Sequence, residues 1–150
     1  MSGRRLMIGL LAFTAVFAAA LWYFQTHAFY QRTEIAALTV GGIAYPVEAW
    51  QGIDATTSPL KWRACFEASP QLLTAAETVW SPVASGTPLI APSWFDCFDA
   101  EAIASDLAGG RASAFLIEPD VAHGADRYLA LYPDGRAYAW HQLTPELAEQ

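Results

Sequence analysis

The sequence predicts an α+β protein: one N-terminal transmembrane helix, then a small antiparallel-sheet domain with one packed helix and one disulfide. Three observations predict it. Residues 6–24 form an apolar run without a single charge. Beyond them, short stretches of alternating polarity are separated by turns rich in Gly and Pro. The two cysteines, Cys65 and Cys97, both fall in this later part, and an even pair in an oxidising compartment forms a bridge.

A helix over residues 6–24 would be roughly 28 Å long at about 1.5 Å per residue, close to the thickness of a bilayer's hydrocarbon core. Arg4 and Arg5 precede it. Flanking positive charge stays cytoplasmic, which sends the rest of the chain outward. Trp22, Tyr23 and Phe24 close the run, with His27, Phe29 and Tyr30 just beyond, and aromatic side chains of this kind settle at the headgroup layer. The rival reading is a cleaved signal peptide, because Ala18 to Ala20 satisfy the small-x-small rule. The apolar run continues past those alanines into bulky aromatics, which favours an anchor that stays. Nothing local ends the helix before Thr33, so it is expected to run on through Gln31 or Arg32. The division is therefore 1–32 for cytoplasmic tip, membrane helix and juxtamembrane segment, and 33–150 for the exported domain. The localisation that follows is an inner membrane, with the domain on the periplasmic side.

About 120 residues remain after the anchor, enough for one modest core and not for two. All fifteen acidic residues lie beyond Tyr30 together with six of the eight basic ones, so the exported part carries 6 − 15 = −9. That balance argues against nucleic acid and against docking on anionic lipid. The chain holds no asparagine, which excludes an N-glycosylation sequon. A Cys65–Cys97 bridge would close a loop of 32 residues and contribute about 3–4 kcal/mol on the chain-entropy model.

In order, residues 35–40 and 43–47 around Gly41-Gly42 read as a hairpin, with Pro46 holding its strand to an edge. Residues 49–59 read as loop. Residues 60–66 alternate, placing Leu60, Trp62, Ala64 and Phe66 on one face and Lys61, Arg63 and Cys65 on the other. Ser69 and Pro70 open a short helix to about Thr78, and 81–93 is a proline-stiffened loop lying against the body. Asp99 caps a helix over 100–108 that Gly109-Gly110 ends. Residues 112–117 make a buried strand and 118–126 a loop, the one lid-like segment. Residues 127–132 and 136–141 flank Pro133-Asp134-Gly135 as a hairpin. Residues 144–150 form a short frayed helix.

Three of these stretches together resemble a known family: Gln51 to Asp54 leading into Ser58 to Phe66, then Trp94 to Asp99, then Tyr132 to Gln142. The chain is similar to an uncharacterised bacterial family of short, single-pass, membrane-anchored proteins classed as a domain of unknown function. The resemblance implies localisation and no activity.

Side chains able to do chemistry are few. There is no G-x-S-x-G elbow and no Gly-rich nucleotide box, so neither a serine hydrolase nor a kinase is indicated, and no catalytic residue or cofactor is assigned. His141 closes a strand, with the reading of an edge position half buried beside Trp140. The chemical alternative is a periplasmic copper or zinc domain drawing on Cys65, Cys97, His123 and His141. A third reading is a small-ligand sensor using 118–126 as its lid. Aromatic residues are abundant, and Trp50, Trp62, Trp94 and Trp140 are the candidates for contact with a protein partner if exposed. The leading expectation is thus a non-enzymatic interaction or assembly factor, held by residues 6–24 in the inner membrane and acting on a membrane-protein partner, without nucleic acid.

Overall fold

The computed structural model describes residues 2–150. Its first element is α1, Gly3–Thr26, none of whose residues is buried. Seven antiparallel strands follow: β1 Tyr30–Thr33, β2 Ala37–Val40, β3 Ile43–Ala55, β4 Arg63–Ala68, β5 Ser113–Ala122, β6 Ala125–Leu131 and β7 Arg136–Leu143. They lie in the order β1-β3-β4-β7-β6-β5, with β2 also pairing to β3. The helices are α2, Pro70–Thr78, α3, Ala100–Ala108, and the short α4, Pro145–Ala148. The predicted α+β class and its disulfide are both present.

Both faces of the sheet are buried, because alternate residues of the central strands are apolar on each side. Trp62, Ala64, Phe66, Leu129, Leu131, Ala137 and Ala139 pack with Leu72, Ala75 and Ala76 of α2. Cys65, Tyr128, Ala130 and Trp140 pack on the other side with Phe95, Phe98 and Ile103. One packed helix was expected. The structure has two, one per face, since the face carrying Lys61, Arg63 and Cys65 is roofed by the segment after α2. That segment leaves α2, bridges Pro82 to Phe115 and Val83 to Ala114 along the open edge of β5, and crosses to the opposite face. It thereby protects an otherwise unpaired edge. Cys97 then bonds Cys65 of β4 and fixes the roof to the middle of the sheet.

Local signals hold where local chemistry is sufficient. Ser69 Oγ accepts the Leu72 N–H at 3.3 Å at the start of α2, and Asp99 Oδ1 accepts the Ala102 N–H at 3.0 Å at the start of α3. Gly110 follows α3 at φ 71°, a left-handed position suited to glycine. Pro46 pairs with Ala37 beyond the end of β4, so its missing N–H disturbs no ladder.

Four expectations are corrected. The helix does not continue to Gln31 or Arg32. It stops at Thr26, and Tyr30–Thr33 pair instead with Ala55–Gly52. Residues 49–55 are not loop but the second half of β3, joined to its first half through a bulge at Ala49, φ 51°. Gly52 is no punctuation mark here: a Cβ would collide with Thr33 Oγ1 and the Trp50 indole, so glycine permits β1 to approach. Residues 118–122 extend β5, which leaves the supposed lid a tight hairpin tip at His123 and Gly124. Finally, the 60–66 strand begins at Arg63, after a 3-10 turn over Pro59–Lys61.

The cross-link generates the first prediction. Replacing Cys65 and Cys97 together by serine should lower unfolding stability by about 3 kcal/mol, read from urea titration of the full chain in detergent.

Candidate functional site: the α1-facing end of the domain

Only residues 27–29 separate α1 from β1. Strand registers define which residues share that end of the sheet. Tyr30 is beside Ala55, Ile53 beside Arg63, Arg63 beside Trp140, and Gln142 beside Asp126. The starts of β1, β4 and β6 and the ends of β3, β5 and β7 therefore all lie at the end of the sheet where α1 joins it.

The joint itself is aromatic. The last carbonyls of a helix lack intrahelical donors, and the Trp94 indole N–H donates to that of Thr26. The Trp94 ring lies 5.7 Å from His27 and 5.8 Å, edge-on, from Tyr30. The Arg32 guanidinium covers it at 5.2 Å, and the Lys61 ammonium sits 5.3 Å from the Tyr30 ring. Residues from α1, β1, the 3-10 turn and the roof thus meet at one place.

Behind this joint a polar row crosses three strands. Glu118, Arg127 and His141 are successive register partners on β5, β6 and β7. Arg127 Nη1 donates to Glu118 Oε2 at 2.8 Å, and its Nε donates to His141 Nε2 at 3.0 Å. His141 Nε2 is thus an acceptor, and the proton on Nδ1 goes to the Pro59 carbonyl at 2.8 Å. Trp62 stacks on the imidazole at 4.6 Å, and the Arg127 guanidinium lies 4.5 Å from the Trp62 ring. On the opposite face Arg63, 4% exposed, donates to the carbonyls of Leu60, Trp62 and Leu89. Burial lowers its guanidinium to about 10, which leaves it cationic at neutral pH.

His141 was read as an edge residue, half buried. It lies instead on β7, between β4 and β6, and is 6% exposed. Burial is the main cause that lowers it to about 4; the Pro59 carbonyl opposes this, and the charges of Arg127 and Arg63 lower it further.

The remaining sequence candidates scatter. Cys65 and Cys97 are joined to each other and offer no thiolate. His123 stands at the β5–β6 tip, beside a cleft of about 680 Å³ that also reaches Asp126 and α4. Both nitrogens of His141 are engaged. The proposed Cys65, Cys97, His123 and His141 set therefore does not converge, and among the described residues no three His, Cys, Asp or Glu side chains are placed to share a metal. Of the tryptophans, Trp140 is fully buried and Trp62 nearly so, which removes them as partner contacts. Trp50 and Trp94 keep part of their surface. Lys61 and Arg63, one residue apart, divide between surface and interior. The row of Glu118, Arg127 and His141 was not read from the sequence. Its only trace there is a polar residue at the anchor-side end of each of three apolar strands.

The fold and this joint define a class: a small α+β domain carried directly on one N-terminal helix long and apolar enough to cross a membrane. A family model described as a family of unknown function, DUF6446, matches residues 34–149, and the chain belongs to that family. The match contains all three sequence stretches that carried the resemblance, and begins after β1. Neither a curated protein nor a solved structure matches the chain.

The buried histidine fixes a pH dependence. Its pKa is near 4 folded and 6.5 unfolded, so between those values the unfolded chain binds the additional proton. Its contribution is complete above pH 6.5 and is lost as the pH falls toward 4, a difference of about 3 kcal/mol. Thermal melts across this range should show that acid limb, and His141→Asn, which removes the titrating ring, should flatten it.

Proposed function

We propose that this protein is a membrane-tethered, non-enzymatic interaction or assembly factor that acts on a membrane protein at the outer face of the inner membrane. One observation carries this reading: the domain is fastened to the end of α1 by three linking residues and by the Trp94 contact to Thr26, not hung on a flexible linker. A domain that roams in search of a soluble ligand gains from a long tether. One held by such a joint keeps a constant height and orientation, which suits a partner in the same membrane.

The anchor reading rests on length and composition. At 24 residues, α1 is about 36 Å long, enough to span with some tilt, and its apolar side chains find no cover in the domain. Arg4 and Arg5 in its first turn, ahead of the apolar run, set the amino terminus inside and the domain outside. Of the four tryptophans considered as partner contacts, the two that keep surface differ in position. Trp94 is committed to the joint, whereas Trp50 lies on β3, stacked on Phe66 at 5.2 Å, with its indole N–H on the Thr33 carbonyl at 2.9 Å. Trp50 is the contact we assign to the protein partner.

The test is purification of the full chain from native membranes in mild detergent. A second membrane protein should co-elute in fixed stoichiometry through size exclusion, and Trp50→Ala should release it from a chain that still shows the native far-ultraviolet circular dichroism, with a lowered thermal midpoint from the lost packing on Phe66. A chain that elutes alone from membranes would overturn the proposal.

A further inference from the structure

Among the described residues four polar side chains are buried: Arg63, Ser69, Asp126 and His141. Three of them are satisfied. Ser69 caps α2, Arg63 donates to three carbonyls, and both nitrogens of His141 are bonded. Asp126 is the exception. It is 5% exposed, yet its carboxylate holds a single hydrogen bond, from the Asp120 N–H to Oδ1 at 2.8 Å. No cation pairs with it, since the ion pairs among the described residues join Arg111 to Asp106, Arg127 to Glu118 and Arg136 to Asp134. Arg127, its neighbour in sequence, lies on the opposite face of β6 with Leu129 and Leu131, whereas Asp126 shares its face with Tyr128 and Ala130. Asp126 Oδ2 accepts from no group of the chain. Among the described residues no fully enclosed side-chain oxygen or nitrogen lacks a partner, so Oδ2 opens onto the cleft that Asp126 lines.

That cleft, of about 680 Å³, is assembled by contacts between distant parts of the chain. The β5–β6 hairpin forms one wall, and Ser85 of the roof and α4 form the others. α4 is held against the hairpin tip, where the Thr144 N–H donates to the Gly124 carbonyl at 3.0 Å. A Cβ on Gly124 would collide with Leu147, so glycine lets α4 close this side. The segment over 118–126 is thus a fixed wall. The lining holds Asp120, Asp126 and Glu146 against one histidine, His123, and no lysine or arginine. Leu116, Pro119 and Leu147 supply an apolar surface beside them. Burying a charge without a counter-charge is costly, and a carboxylate with a free oxygen is met most strongly by a cationic N–H donor. A metal ion is not that donor, because among the described residues no three His, Cys, Asp or Glu side chains are placed to share one.

We infer that this cleft binds a small organic cation, a primary ammonium or guanidinium carried on a short alkyl stem. The charged head donates to Asp126 Oδ2, and the stem lies along Leu116, Pro119 and Leu147. Asp120 and Glu146, both exposed, stand at the rim and draw the cation in. A pocket of this volume, apolar with a few convergent polar groups, is of the size that takes a small molecule. What singles it out is the one buried carboxylate without a cation, and not the net acidity, which is spread over the whole domain. β6 is three strands from β3 in the sheet order, so a ligand here leaves Trp50 uncovered. The site stands whether or not α1 spans a membrane.

The test is equilibrium dialysis of radiolabelled putrescine, a four-carbon diamine, against the full chain in a non-ionic detergent. Binding should saturate at a single site per chain. Unlabelled putrescine and butylguanidinium should displace the label, and butanediol, uncharged and of the same length, should not. Asp126→Asn keeps an oxygen for the Asp120 N–H and should weaken binding by at least about tenfold while the chain still melts cooperatively. Glu146→Gln, at the rim, should weaken it by no more than about threefold. Amide resonances of the unaltered chain give a reading that does not depend on any variant folding. Putrescine should shift Asp120, Gly124 and Glu146 and leave Asp106 and Asp134, which belong to ion pairs elsewhere. Uptake that does not saturate, or shifts spread over all the carboxylates, would reduce the effect to attraction by net charge and overturn the site. A folded Asp126→Asn chain with unchanged affinity overturns the role of the buried carboxylate, and displacement by butanediol overturns the choice of a cation.

Discussion

The segment between α2 and α3 holds about twenty residues without regular structure, inside a domain small enough to be marginal. The constraint that makes this arrangement stable is its attachment to the sheet, and the Cys65–Cys97 bond is the strongest of its attachments. Without the roof, Tyr128, Ala130 and Trp140 would face water from the centre of the sheet. Lesser attachments space the roof along its length. Val83 donates to the Ala114 carbonyl, Gln142 binds both Ser85 and Thr87, Leu89 accepts from Arg63, and Trp94 reaches Thr26. Gly86 is placed where the roof passes closest: a Cβ would fall 2.9 Å from that of Ala114. The roof thus does three things at once, covering a face, closing the β5 edge and joining the domain to α1.

Arg63 and His141 are costly to bury and are therefore fully engaged. Arg63 satisfies itself on backbone carbonyls left open by the 3-10 turn and the roof. His141 stays neutral because both its nitrogens have roles only the neutral ring can fill, one accepting from Arg127 and one donating to Pro59. Arg127 finds its counter-charge in Glu118 on the next strand. The same residues that seem dispersed in a list of basic side chains are sorted by this arrangement into internal and external charge. Only the external ones remain for a surface.

Much of this was legible in the chain alone. The helix caps at Ser69 and Asp99, the β6–β7 hairpin at Pro133-Asp134-Gly135, the alternation from Trp62 to Phe66, and the apolar run of α1 all rest on neighbours within a few residues. Elements that failed to show were those with distant partners. β1 carries no strand pattern of its own and exists because β3 is there to pair with it, and Gly52 reads as a break until Thr33 is seen against it. The burial of Trp62, Trp140 and His141 had the same origin, since a residue's exposure depends on which strands and which loop come to lie over it.

What the sequence determined by itself was the kind of molecule: an apolar helix of membrane length, an α+β domain of one core, a pair of cysteines spaced to close it, and an overall negative charge. These follow from composition and short-range pattern, which need no partner across the fold. What only the tertiary structure decided was where the charge sits. The fold pairs Arg111, Arg127 and Arg136 with carboxylates, buries Arg63 on carbonyl groups, and leaves Arg32 and Lys61 over the rings of Trp94 and Tyr30. These placements need partners from distant parts of the chain, which no short-range pattern records.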